Sequence, residues 1–329
     1  MELQYAGARR GLPRGDTEVS IRVMTQEDIP ALRKFDRDLM AQLDSANAQV
    51  PPGRESTPGG PWSDDQWLAE HFDKYVEHGN ITLLAEDRSA RIVAFADLWA
   101  TCEPSPFGTS LDVECIDYFR DYYYLGIETV LLQEAEKVAQ GSGIGALDIG
   151  TNTSSGDYPC LRRLGMKVFY EYDNVTCPCR PTQANRRITH NALKPNDVDL
   201  TGLLRVSHWC PTDFGFREEA WIAELTWGDQ RAVLGLWSYD PNSDKHYALS
   251  VPQHTPDHSE LYAEPQALAS SSTMSILIDE CASLAGEFGA KEISFPCPSD
   301  IELDTSQVNV LDREFAFAWM RKELRRAAP

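Results

Sequence analysis

Gly126, at the predicted junction of a strand and a helix, is the residue whose position says most about chemistry in this 329-residue sequence. Residues 111–119 alternate like a strand, and the apolar side chains of 127–138 repeat at helical spacing. The first backbone N–H groups of a helix have no partner inside it, and the helix dipole adds partial positive charge there. Phosphate can bind such a junction where glycine lets it approach. One glycine alone is a common helix start, so the surrounding residues decide.

Those surroundings resemble the GNAT superfamily of N-acyltransferases. Its strongest motif, Arg/Gln-x-x-Gly-x-Gly/Ala, binds the pyrophosphate of acetyl-CoA between a strand and a helix. Here Tyr123 replaces Arg/Gln and Glu128 replaces the small residue, while the matching positions are Gly126, Ile127, Leu131 and Leu132. The family's aromatic-x-x-Leu-Gly-Phe ending is similar to Leu161-Arg-Arg-Leu-Gly-Met166. The resemblance covers about residues 20–175 and, more weakly, 193–300.

The resemblance implies that acetyl-CoA or another acyl-CoA is the co-substrate. Glu128 in the first helical turn stabilises a bare helix end but repels a phosphate dianion unless its side chain turns away. The corresponding stretch of the second half, Gln266–Thr273, has no glycine, so one donor site at most is expected, in the first half. The residues expected to bind the donor are Tyr123, Tyr124, Leu125, Gly126, Ile127, Glu128 and Thr129.

The catalytic residues expected from the resemblance are Glu114, Asp117 and Tyr158. In a GNAT mechanism the amine attacks the thioester directly, a base takes the amine proton and an acid protonates the thiolate. Glu114 and Asp117 lie three residues apart on a predicted strand, so they point to opposite faces. Glu114 matches the usual position of the base better, and Asp117 is expected to matter little. Leu161 replaces the tyrosine that is the family's usual acid; Tyr158, one helical turn earlier, could reach a similar place, and Cys160 is a poorer substitute. A role as solvated surface acids explains Glu114 and Asp117 nearly as well, and a half-buried aromatic residue is the favoured explanation of Tyr158.

Other reactive patterns point away from metal and covalent chemistry. Cys177-Pro-Cys179 lacks a second ligand pair, and Pro256 interrupts the helical spacing of His254 and His258, so no metal is expected. No GxSxG or Cys–His signature is present. A cluster of four tyrosines before the junction suits an aromatic acceptor pocket or ordinary strand packing: Tyr118, Tyr122, Tyr123 and Tyr124.

The formal charge of −21 is spread over both halves of the chain. Residues 1–180 carry 17 Lys+Arg and 29 Asp+Glu, a net of −12, and residues 181–329 carry 13 and 22, a net of −9. Such a field disfavours a phosphate backbone and favours cationic small molecules, although solubility alone explains it as well.

Sequence patterns place these residues on an α/β fold with a mixed central sheet and flanking helices. Thr25 and Asp28 form a capping-box pattern that begins the first helix, which should end near Asp44. The strands are expected at 20–24, 81–85, 91–99, 111–119, 146–151 and 167–172, and the further helices at 63–78, from 126 and at 158–163, with a Pro/Gly loop at 50–61.

The second half repeats this order at an offset of about 140 residues. A predicted hairpin of residues 220–227 and 231–237 is matched to the one around Ser89, and Glu292–Pro296 to Ala146–Thr151. The sequence therefore predicts two GNAT-like domains in tandem. The predicted boundaries are a loose N-terminal tail at 1–19, a first, donor-binding domain at 20–180, a linker at 181–192 and a second, degenerate domain at 193–329.

The hypothesis favoured at this point is a tandem GNAT-type N-acyltransferase acting on a primary amine of a small, cationic molecule. Two alternatives stay open: an acyltransferase of the same type that takes its acyl group from aminoacyl-tRNA, and a non-catalytic protein that binds a ligand. The tRNA donor needs a local basic patch, for which Arg162-Arg163 is one candidate. No signal sequence or apolar run of membrane length is present, so a cytoplasmic location is expected, with no membrane partner.

Overall fold

The computed structural model describes most of the first half of the chain and segments of the second half. The described residues are 3–47, most of 69–80, 81–103, 107–152, 157–179, 188–193, 234–239, 246–252, 258–263, helical positions between 275 and 286, 290–299, 302–303 and 312–324. No helix among them is both long and apolar enough to cross a membrane.

Positions 69, 72–73 and 75–77 are helical, within the predicted helix 63–78. The other elements of the described residues up to 141 are five strands, three helices and one short 3₁₀ helix. In chain order they are β1 (Ala8–Gly11), β2 (Glu18–Val23), the 3₁₀ helix (Gln26–Asp28), α1 (Ile29–Asn47), β3 (Ile81–Glu86), β4 (Ile92–Glu103), β5 (Gly108–Tyr118), α2 (Arg120–Leu125) and α3 (Ile127–Gly141). The predicted capping box is confirmed, because the Thr25 N–H donates to the Asp28 carboxylate at 2.8 Å.

After residue 141, the elements with complete bounds in the described part of the chain are eight strands and one short helix. They are β6 (Ala146–Asn152), α4 (Asp157–Arg163), β7 (Lys167–Pro178), β8 (Ile188–Leu193), β9 (Leu234–Tyr239), β10 (His246–Pro252), β11 (His258–Ala263), β12 (Glu292–Pro298) and β13 (Asp312–Glu323). Among the helical positions between 275 and 286, Cys281 is fully buried, as the predicted apolar stripe of that helix requires.

The chain divides into two compact units. Unit 1 comprises 1–100, 109–147 and 323–329, and unit 2 comprises 101–108 and 148–322. In unit 1 the strands follow the order β1-β2-β3-β4-β5, with antiparallel pairs from β1 to β4. The largest fully buried side chains of this unit are Trp99, Ile21, Leu83, Leu84, Leu98, Leu111, Ile127, Leu131 and Leu132.

Unit 2 holds the strands in the order β13-β7-β12-β11-β10-β9-β8. β11 and β12 are parallel, whereas the pairs β12–β7 and β7–β13 are antiparallel. The remaining pairs, from β8 to β11, are also antiparallel. The sheet is therefore mixed, and the predicted α/β class is confirmed.

The repeat is visible as a repeated strand order, although one predicted match is wrong. β8, β9, β10 and β11 are successive neighbours, as β2, β3, β4 and β5 are. β9 pairs with β8, so Leu234–Tyr239 holds the place of β3 and not that of β4, to which the sequence match assigned it. Apolar alternation identifies a strand but not its neighbour. The predicted partner strand, 220–227, lies outside the described residues.

Three further expectations about the chain's organisation need correction. Residues 1–19 are no loose tail, because they contain β1 and the start of β2, and Leu3 and Leu12 are buried. The predicted linker ends in β8. β13 was not predicted, and β7, assigned by sequence to the first domain, lies in unit 2. Pairing partners distant in sequence leave no local signature, which is why these features escaped a local pattern search.

Candidate functional site

The junction at Gly126 differs from the expected direct passage from strand to helix. β5 ends at Tyr118, and the six-residue helix α2 follows before Gly126. Gly126 has a φ of +86°, in the left-handed region that favours glycine, and it both closes α2 and precedes α3. Its N–H donates to the carbonyl oxygen of Tyr123 at 2.9 Å. The backbone conformation therefore favours glycine at this position, independently of any role in phosphate binding.

Helix α2 uses backbone donors that an open phosphate loop would present to a ligand. The N–H groups of Tyr122 and Tyr123 donate to the carbonyl oxygen of Phe119 at 2.9 and 3.2 Å. The donors that helix geometry leaves without an intrahelical partner are those of the first turn of α3, residues 127–129. The side chains of Ile127 and Glu128 are buried there, at 0% and 5% exposure. Of the predicted donor residues, the half-exposed Thr129 is the one best placed to report on this turn.

The N-terminal segment packs against the same junction. The Arg14 N–H, in the turn between β1 and β2, donates to the Leu125 carbonyl oxygen at 3.1 Å. A Cβ at Gly126 would lie 3.2 Å from Pro13 Cγ, and one at Gly15 would lie 3.3 Å from Leu125 Cδ2. These contacts leave little space beside Gly126, so a side chain at this position would both strain the backbone and meet Pro13.

Three carboxylates in unit 1 influence one another: Asp36 on α1, Asp97 on β4 and Asp117 on β5. The rings of Phe35 and Phe95, each close in sequence to one of these acids, are 5.7 Å apart. This ring contact places α1 against β4, so the acids lie at the interface of α1 with the sheet. The hydroxyl of Thr82 on β3 hydrogen bonds to Asp97.

Burial and mutual repulsion make two of these acids weak. Desolvation and the neighbouring charge of Asp97 raise the pKa of Asp117 to about 6. Desolvation and the charges of Asp117 and Asp97 raise the pKa of Asp36 to about 7, although Arg33 opposes the change. Near neutral pH this group can take up or release a proton, and it attracts cations.

The predicted catalytic residues belong to both units of the chain. Asp117 belongs to the carboxylate group, and Glu114 lies three residues earlier on β5, on the opposite face by strand alternation. Tyr158 is half-exposed on α4, which belongs to unit 2. The choice between Glu114 and Asp117 as base therefore stays open, and Asp117 is the one of the two that the carboxylate group includes.

Sequence reasoning missed Asp36 and Asp97. Asp36 directly follows Phe35 in the apolar stripe of α1, and Asp97 interrupts the apolar run of β4. An acid inside an apolar strand is a signal that could have been used, since such residues are rarely buried without a reason. Their convergence on Asp117 depends on tertiary packing, which the sequence pattern does not give.

The side chains of the four tyrosines before the junction lie in different environments. The rings of Tyr118 and Tyr123 stack at 5.2 Å, and Tyr124 lies edge-on to Tyr123 and is 54% exposed. The Tyr122 hydroxyl instead lies 3.4 Å from Asp87, in the β3–β4 turn. A single acceptor pocket lined by all four is therefore not what the structure contains.

Three other features of the sequence were weighed as sites: the stretch Gln266–Thr273, the pair His254 and His258, and the pair Cys177 and Cys179. The stretch Gln266–Thr273 and the pair His254 and His258 lie outside the described residues, apart from His258 in β11. Within the described part of the chain, no group of three or more His, Cys, Asp or Glu residues could hold a metal ion. Burial raises the pKa of Cys177 and of Cys179 to about 12 in each case, so both stay thiols.

Comparison with solved structures identifies the fold. The chain superposes on a GCN5-related N-acetyltransferase from Sphaerobacter thermophilus with a TM-score of 0.54 and 13% identity, over 93% of this chain and 96% of that one. A GCN5-related N-acetyltransferase from Kribbella flavida gives a TM-score of 0.54 and 10% identity, over 94% of this chain and 71% of that one. A tandem GNAT protein from the clavulanic acid biosynthesis pathway gives 0.54 and 10%, over 94% and 100%.

These likenesses show that the chain has the GNAT fold, in tandem, and the fold predicted from the motif is confirmed. At identities of 10–13% they establish the fold and not a shared activity. No protein-family model matches the sequence. No curated protein matches it either.

Proposed function

We propose that this chain is an N-acyltransferase that transfers an acetyl or other acyl group from acyl-CoA to a primary amine of a small, cationic molecule. The observation that carries the proposal is the fold, which is similar to acetyltransferases over 93–94% of the chain. The group Asp36, Asp97 and Asp117 supports the class of acceptor. In this reaction the amine nitrogen bonds to the thioester carbonyl carbon, the C–S bond breaks, and coenzyme A leaves as a thiol.

The donor is assigned to the first turn of α3, next to Gly126. Backbone donors at a helix start and the helix dipole favour a pyrophosphate. Glu128 is buried beside this turn, and its carboxylate opposes an anion unless it is neutralised. Tyr123 and Tyr124 offer aromatic faces close by. Binding of acyl-CoA here is therefore expected to be weak in the absence of the acceptor.

The acceptor is assigned to the carboxylate group of unit 1. An ammonium ion gains favourable electrostatic energy from carboxylates that already repel one another. Asp117 is proposed as the base, because a carboxylate with a pKa near 6 combines a useful ionised fraction at pH 7 with the capacity to hold a proton. Glu114 remains the rival for this role.

Calorimetric titration with acetyl-CoA and an acetyl-transfer assay test the proposal together. Coenzyme A release would be followed with a chromogenic thiol reagent, using spermidine as a cationic acceptor and glutamate as an acidic one. We expect saturable binding and faster transfer to spermidine. Failure to bind acetyl-CoA under any condition would contradict the donor assignment and favour a tRNA donor or ligand sequestration. Equal rates with both amines would contradict the acceptor assignment.

A further inference from the structure

The segment Tyr5–Gly15, which we term the N-terminal strap, is fastened to helix α3 at its middle. Glu134 of α3 is buried at 1% exposure and accepts hydrogen bonds from the Tyr5 hydroxyl at 2.7 Å and from Arg10 Nε at 2.5 Å. Lys137 donates a third bond at 2.7 Å. These bonds lower the pKa of Glu134 although its burial raises it, so the anchor is an ionised carboxylate.

The far end of the strap contacts the beginning of the same helix. The turn after β1 places Pro13 against Gly126 and bonds the Arg14 N–H to the Leu125 carbonyl oxygen at 3.1 Å. β1 itself is held by pairing with β2, and Leu12 is buried. The strap thus contacts α3 at two places separated by about eight residues, or about 12 Å of helix.

We propose that the N-terminal strap is an autoinhibitory element that keeps the start of α3 closed to an anionic ligand and has to release the Pro13–Gly126 contact before the donor binds. This inference rests on the proposed function, which assigns the acyl-CoA pyrophosphate to that turn. The strap and the pyrophosphate compete for the space beside Gly126. Only the fraction of molecules with the strap released binds acyl-CoA, so the apparent Kd is raised by the inverse of that fraction.

The anchor at Glu134 makes this competition adjustable. Arg10 contributes an ion pair in which the carboxylate is buried and the guanidinium is 39% exposed. Replacing Arg10 removes the charged one of the two bonds between the strap and Glu134 and so weakens the anchor, while the Tyr5 and Lys137 bonds keep the carboxylate partnered. Arg9 precedes it and is exposed, and it provides a matched control.

The test compares Arg10→Gln with Arg9→Gln in the full chain, using acetyl-CoA as the probe. Titration calorimetry gives the affinity, and hydrogen exchange of the Arg14 amide reports directly on the bond to Leu125. We expect Arg10→Gln to speed Arg14 exchange and to tighten acetyl-CoA binding at least tenfold, with Arg9→Gln unchanged in both. Pro13→Ala shortens the side chain against Gly126, leaves the Glu134 anchor intact, and should also speed Arg14 exchange and tighten acetyl-CoA binding. This second variant keeps the test decisive if Arg10→Gln folds poorly.

Three outcomes overturn separate parts of the reasoning. Acetyl-CoA binding that is equally tight in the original chain and in both loosened variants would refute the strap and leave the proposed function standing. Faster Arg14 exchange with no acetyl-CoA binding in any variant would refute the donor site, and with it the strap's role. Unchanged Arg14 exchange in both Arg10→Gln and Pro13→Ala would show that the strap does not open through these contacts.

Discussion

Replacing Asp117 by Asn should make the protein more stable and less active, and the size of the gain should depend on pH. The pKa of Asp117 is raised from 3.8 to about 6 by burial and by Asp97, so folding penalises its ionised form by about 3 kcal/mol. For an acid whose pKa is raised by folding, this penalty is absent below the pKa of the unfolded chain. It grows as pH rises and is complete above a pH of about 6. The Asn side chain, of similar size, does not ionise, so its contribution to stability does not change with pH.

The stabilisation of Asp117→Asn over the original chain should therefore grow by about 2 kcal/mol between pH 4.5 and pH 8. Loss of this charge also relieves Asp36, whose raised pKa has Asp117 as its second cause, so the measured change includes that relief. Urea denaturation at the two pH values measures it. Activity should fall by about 10²–10⁴ in kcat, because the base is lost.

Glu114→Gln is the matched control, since it neutralises a carboxylate on the opposite face of the same strand. It should show neither effect. A stabilisation by Asp117→Asn that is the same at both pH values would refute the burial argument. Loss of activity in Glu114→Gln with normal activity in Asp117→Asn would return the role of base to Glu114, as the sequence motif alone suggested.

Three further outcomes are expected. Arg321→Gln should destabilise unit 2 by about 3–5 kcal/mol in urea denaturation, because Arg321 donates hydrogen bonds of 2.7 and 2.6 Å to the buried Asp148. A loss below about 1 kcal/mol would argue that this ion pair does not stabilise β13. Thr129→Asp should weaken acetyl-CoA binding at least tenfold in calorimetry, whereas Thr129→Ser should not, since only the former adds a negative charge in the first turn of α3. Equal affinities of the two variants would show that the pyrophosphate binds elsewhere. Asp28→Asn should lower the free energy of unfolding by about 2 kcal/mol at pH 7, because hydrogen bonds with Arg22 lower the pKa of Asp28 to about 2. The loss of stability should shrink as pH falls from 3.8 towards 2. A loss that persists at pH 2 would assign the effect to packing.

The sequence predicted those features that are encoded locally. The capping box at Thr25, the helix after Gly126 and the strands β2 to β5 each leave a pattern within a dozen residues, and each is present. α2 escaped prediction because its tyrosines favour a strand by propensity, while packing around Phe119 and Gly126 gives them a helical turn.

The site was less predictable than the fold, for a physical reason. The environment of Asp117 is created by burial and by Asp97 on a neighbouring strand, and Asp117 in turn raises the pKa of Asp36, 81 positions earlier in the numbering. The contact of Pro13 with Gly126 likewise joins distant parts of the chain. Residue type and spacing report on one element at a time, whereas pKa and access depend on what neighbouring elements bring.

The position of β7 between β12 and β13 sets the order in which this chain can complete its fold during synthesis. Tyr172 of β7 is opposite Pro298 on one side and Phe317 on the other. Both partners are translated more than 120 residues after it. Until then the N–H and C=O groups at both edges of β7 have no strand to pair with, which is the state in which strands associate with the wrong chain. A ribosome that stops before residue 312 releases a protein with one of those edges still open.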